Sequence, residues 1–172
     1  APEQRLEHGP AFPAIQADLA GRADPSAWPT LRGDMARTGR SRTAVPTNLK
    51  TDWQTPVGGK LSSPVIGGGK LLVAAVDRHS IHALDTASGK PAWQFTAGGR
   101  IDSPPSIAGK LAVFGSADGY VYCLRLDSGQ MVWRFHAAPV DRRIVAFDQL
   151  ESVWMAGVTD FGRLTVGDPT TA

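Results

Sequence analysis

"ALDTASGKPAW", residues 83–93, sets the turn-forming Asp85, Ser88 and Gly89 between a small apolar residue and a large aromatic one. The aromatic recurs. "WQTPVGG" begins at Trp53, "WQFTAGG" at Trp93 and "WRFH" at Trp133, with spacings of 93 − 53 = 40 and 133 − 93 = 40. The stretch is therefore one copy of a repeat, and the question is what a Trp after each turn does.

The repeat aligns without a gap. "GGKLSSPVIGGGKLLVAAVDRHSIHALDTASGKPAWQF" lies over "GGRIDSPPSIAGKLAVFGSADGYVYCLRLDSGQMVWRF", matching Ser63 to Ser103, Pro64 to Pro104, Gly69 to Gly109, Lys70 to Lys110, Leu84 to Leu124 and Gly89 to Gly129. Turn signals divide the first unit into four short apolar runs, "LSSPVI", "LLVAAV", "IHAL" and "AWQF", and this punctuation predicts four strands. Four antiparallel strands per unit make a propeller blade. The fold class expected is all-β, a partial β-propeller with about two complete blades over 50–96 and 97–136 and incomplete strands on either side.

Composition agrees with that class. The 172 residues are 42% hydrophobic, with 19 Gly and 13 Pro spread through short clusters, as a chain of many turns requires. Eighteen basic against 16 acidic residues leave a net charge of +2, too balanced for a phosphate-tracking surface, so no nucleic-acid partner is expected. No apolar run reaches the length of a membrane span. The opening "APEQRLEHGP" lacks the basic-then-apolar order of a signal peptide. Residues 1–27 read as a linker in which "AIQADLAGR" could form a short helix, and Trp28, outside the period of 40, reads as an irregular lead-in to blades spanning 28–140. Residues 141–172 read as a loop and an incomplete next blade.

The motif A-x-D-x-x-x-G-K-x-x-W, carried by Ala83, Asp85, Gly89, Lys90 and Trp93, resembles the tryptophan-docking motif of the PQQ-like (pyrroloquinoline-quinone-like) β-propellers. That group includes quinoprotein dehydrogenases and an outer-membrane assembly lipoprotein. Over Trp28 to Trp154 the chain also resembles PQQ-like repeat proteins of the planctomycete kind, long and often secreted. The resemblance implies that each Trp stacks on the small residue opening its own motif and on the peptide plane at the Gly of the next blade, with its indole N–H on a carbonyl. Trp53, Trp93, Trp133, Ala83, Asp85, Gly89 and Gly129 are the docking residues it implies. The second copy departs at Cys123, Arg125 and Gln130, with Asp127 expected to replace the lost turn acceptor in an altered turn. A periplasmic or extracellular location also follows from the resemblance.

Catalytic chemistry is harder to find. The four histidines lack metal-ligand spacing, "SADG" offers too few oxygens for a calcium loop, and Ser62, Ser63 and Ser103 have no recognisable base. Arg142, Arg143, Asp148 and Glu151 form the one polar cluster that could line a surface site, although a solvated loop explains the two arginines as well. Quinoprotein dehydrogenases of this resemblance close eight blades around a cofactor and calcium and commonly carry adjacent cysteines. This chain has Cys123 alone. No cofactor is therefore expected. The reading is a binding or assembly scaffold whose partner is the rest of a larger propeller or another protein, with self-association through open blade faces. The alternative is part of a quinoprotein-type oxidoreductase completed outside this chain.

Overall fold

A computed structural model describes residues 5–15, 26–41 and 43–138. Nine strands among them build two antiparallel sheets. The first sheet has four strands: β2 (Val65–Gly67), β3 (Lys70–Ala75), β4 (Ser80–Asp85) and β5 (Pro91–Thr96), in sequence order. The second repeats that meander as β6 (Ser106–Ala108), β7 (Leu111–Gly115), β8 (Tyr120–Arg125) and β9 (Met131–His136). The four runs read in each unit are these strands, and the architecture is a partial β-propeller of two blades.

The two sheets pack face to face. Val65, Leu72 and Ala83 of the first meet Ala112 and Leu126 of the second, and Ala74 and Ile81 meet Phe114, Tyr122 and Leu124. Residues 72–75 are buried in succession along β3, which requires cover on both faces of the sheet. The aromatic layer is ordered by geometry: Phe114 stacks on Tyr122 with centroids 5.4 Å apart, and Phe95 meets Tyr122 edge-on at 5.4 Å.

Two features depart from the pattern expected of the sequence. The gap-free register holds in the last two strands of each sheet and slips in the first two. Ala83 and Cys123, 40 apart, pair with Leu72 and Val113, which are 113 − 72 = 41 apart. The extra residue enters at Pro104-Pro105, where the first unit has one Pro, and the β7–β8 turn is correspondingly one residue tighter than the turn through Val76–Arg78 and His79. The second departure lies in the stretch expected to be a linker. Residues 6–8 form a strand, β1 (Leu6–His8), antiparallel to β9, so the second sheet has five strands. Most of the "AIQADLAGR" segment lies outside the described residues.

The lead-in at Trp28 is also anchored. Trp28 and Ile66 exchange both backbone hydrogen bonds at 2.8 Å, Ile107 N donates to Pro29 O at 2.7 Å, and the Thr30 and Ser106 hydroxyls lie 3.2 Å apart. Residues 28–30 thus strap the first strands of both sheets together.

Candidate functional site

The candidate site is the pair of joints made by Trp53 and Trp93. Each motif begins two residues before the end of a strand: Ala83 stands opposite Trp93 and Cys123 opposite Trp133, and in both pairs a β-bulge follows the small residue. A small residue there leaves room for the indole across the strand.

The turn that follows is tied by its own acid. Asp85 Oδ1 accepts from Ser88 Oγ at 2.9 Å, Ser88 N at 3.0 Å and Ala87 N at 3.2 Å, and the Ser88 hydroxyl bond, followed by the amide bonds, holds the Asp85 carboxyl below the usual carboxylate range. Asp85 N donates to Lys90 O and Gly89 N to Asp85 O. In the second copy Arg125 N donates to Gln130 O and Gly129 N to Arg125 O, so the backbone of the turn is unchanged by the substitutions. Asp127 pairs with the Arg125 guanidinium at 2.9 Å and 3.1 Å. The expectation of an altered turn gives way because the turn is set by backbone bonds and by a glycine at φ +70.

Each turn receives a tryptophan from 33 residues upstream. Trp53 Nε1 donates to Thr86 O at 3.0 Å, and Trp93 Nε1 donates to Leu126 O at 2.9 Å. A Cβ placed on Gly89 would lie 2.4 Å from the Trp53 ring, and one on Gly129 would lie 2.7 Å from the Trp93 ring. Thr55 Oγ1 adds a bond of 2.6 Å to Gly89 O. Trp93 touches both hydrophobic clusters between the sheets. Trp133 is buried among Ala11, Leu111, Cys123 and Val132. Arg142, Arg143, Asp148 and Glu151 lie outside the described residues.

Two polar contacts lie outside the set of expected site residues. Asp118 of "SADG" accepts from Tyr122 OH at 2.6 Å, Gly98 N at 2.8 Å and Tyr120 N at 3.1 Å. It thereby fixes the connection from the first sheet to the turn of the second. Burial, with Asp118 adding to it, pushes the Tyr122 phenol up to about 12. The second contact is Ser80 Oγ to His82 Nε2, 3.0 Å apart. It involves none of Ser62, Ser63 and Ser103: Ser62 Oγ accepts from Ala74 N and donates to Ser63 O. Ser80 is 1% exposed, so no substrate reaches it, and the pair is a buried polar contact hinted at only by the alternation Ser-x-His along β4.

His82 is sensitive to pH for a stated reason. Burial and then the charge of Arg78 lower its pKa below 6.5. The folded chain therefore binds fewer protons there than the unfolded chain, and stability is present above pH 6.5 and declines as pH falls toward the lowered folded value. One proton gives a slope of at most about 1.4 kcal/mol per pH unit. Urea unfolding at half-unit steps between pH 7 and 5 is expected to show the decline, and His82→Gln to flatten it; an unchanged slope in the variant would assign the effect elsewhere.

Two stacked four-strand repeats joined in this way define an arc of a β-propeller built from PQQ-like repeats. A family model described as outer membrane protein assembly factor BamB matches residues 35–167, and the chain belongs to that family. No curated protein sequence matches it. Among solved structures, quinohemoprotein alcohol dehydrogenase from Comamonas testosteroni shares 23% identity at a TM-score of 0.59, over 76% of this chain and 24% of that one. A europium-containing methanol dehydrogenase shares 18% at 0.57, over 74% and 25%. BamB from Moraxella catarrhalis shares 23% over 43% of this chain and 22% of that chain, with a TM-score of 0.38. The chain thus spans about a quarter of the length of these proteins, and the likeness to the two dehydrogenases is one of fold.

The quinone and calcium that the repeat's name implies can be tested against the donors present. Calcium takes about six to eight oxygen ligands. Among the described residues no three His, Cys, Asp or Glu side chains converge; Asp85 Oδ1 is spent on its own turn with Lys70 3.8 Å from Oδ2, and Asp118 accepts from Gly98, Tyr120 and Tyr122. The described residues do not fit that site. Among the described residues no helix is long and apolar enough to cross a membrane.

Proposed function

We propose that the chain is a non-catalytic arc of a larger PQQ-type propeller, serving as a binding or assembly scaffold in the cell envelope. The observation that carries the reading is the repeated joint: Trp53 on the Gly89 turn and Trp93 on the Gly129 turn, each with its indole N–H on a backbone carbonyl. Buried aromatic area fixed by a directional bond is a means of rigid stacking, and nearest-neighbour joints suit a repeat array that presents an extended surface. We assign blade docking to Trp53, Trp93, Ala83, Asp85, Gly89 and Gly129, with Trp133 offering the same function to a following blade. The partner is the remainder of the ring or another protein, and the phrase "outer membrane" in the family's description supports a periplasmic or extracellular location.

The fold likeness to dehydrogenases supports a second reading, in which the chain is part of a quinoprotein-type oxidoreductase. Calorimetric titration of the full-length protein with pyrroloquinoline quinone, with and without calcium, separates the two. No heat of binding is expected up to millimolar cofactor. Saturable micromolar binding would favour the oxidoreductase.

A further inference from the structure

The N-terminal segment sits on a face that the repeat reserves for something else. In the first sheet Leu72, Ile81, Ala83, Trp93 and Phe95 face the second sheet. Their counterparts by strand pairing are Val113, Val121, Cys123, Trp133 and Phe135, and these pack against Ala11, Phe12 and Ile15. The family match runs on to residue 167, past β9, so repeat sequence follows the strand whose face is already covered.

We infer that residues 6–15 are a removable plug that masks a blade-docking face. Its natural rival is another blade of the same repeat kind, supplied in solution by a second copy of the chain. The inference rests on the docking reading above. The plug is held at few points: β1 is three residues long, Gly9 N donates to Val132 O at 2.7 Å, Ala11 N to Met131 O at 3.2 Å and His136 N to Arg5 O at 2.8 Å. Arg134 grips Glu7 at 2.6 Å across 127 residues of sequence, and His8 stacks on Phe12. A short element with few buried contacts opens at lower free energy than the core beneath it.

Gly9 is the point of closest approach, since a Cβ there would lie 2.2 Å from the Met131 carbonyl oxygen. Cys123, the single cysteine of the chain, is fully buried in the same cluster as Ala11 and reports on opening. With a thiol-reactive dye in a urea series, wild-type labelling is expected to depend on urea more weakly than global unfolding followed by far-UV circular dichroism. Gly9→Val is expected to label at least tenfold faster at unchanged dichroism, to regain protection from a synthetic peptide of residues 5–15, and to associate over a tenfold concentration range in light scattering. If Gly9→Val does not fold, the wild-type urea dependence decides alone. Labelling that tracks global unfolding at every urea concentration, no protection by the peptide, or a strictly monomeric unplugged variant would each overturn the plug. None of these outcomes touches the Trp93 joint, whose own test is separate.

Discussion

Trp93→Ala is expected to remove about 3 to 5 kcal/mol of stability, the range for deleting a large buried aromatic. The indole is shared by both clusters between the sheets and bonded to Leu126 O, so its loss opens a cavity at the joint and leaves that carbonyl without its indole donor. Trp28→Ala is the matched control. Its ring lies over Gly33 in a loop, and the backbone bonds to Ile66 survive truncation, so about half that loss or less is expected. Urea denaturation followed by far-UV circular dichroism compares the two directly. Equal losses would remove the docking assignment from Trp93.

Gly129→Val attacks the same joint from the other side. The residue has φ +70, a conformation that costs a β-branched residue dearly, and its new Cβ would press to within 2.7 Å of the Trp93 ring. Strain and overpacking together are expected to cost about 3 kcal/mol or more. Gly39→Val separates the two terms. Gly39 has φ +67, and a Cβ added there would meet nothing within 4 Å, so it carries the strain without the collision. If both variants lose the same stability, the ring is not held against the turn.

Most of this architecture is legible in local chemistry. The four strands of each unit follow from Gly and Asp punctuation around apolar runs and the repeat from three tryptophans spaced 40 apart, whereas the Trp-to-Gly relation is implied by the resemblance of the motif to the tryptophan-docking motif. What the sequence conceals is set by distance or by single residues. Leu6–His8 is too short for alternation to declare a strand, and its partner β9 lies more than a hundred residues away. The second Pro of "SPPS" shifts two strands by one position, which a gap-free alignment conceals because Gly69 and Lys70 still fall over Gly109 and Lys110. Residues 28–30 have no period at all, and only the carbonyls and amides of the sheets they bridge give them a place. Ser80 and His82 meet because alternate residues of one strand share a face, a relation that carries no chemistry until burial is known.

The strap at residues 28–30 and the indole of Trp93 hold the two sheets at opposite margins, one at β2 and β6, the other at β5 and the turn after β8. Two rivets at the ends of a fan blade fix the wedge angle between it and its neighbour, where a single one would leave a hinge. The wedge angle sets curvature, and curvature sets how many blades complete a circle. In the larger propeller proposed above, the backbone bonds of Trp28 and Pro29 would therefore bear on the size of the ring, and a chain in which that strap is cut would be free to splay into a shallower arc.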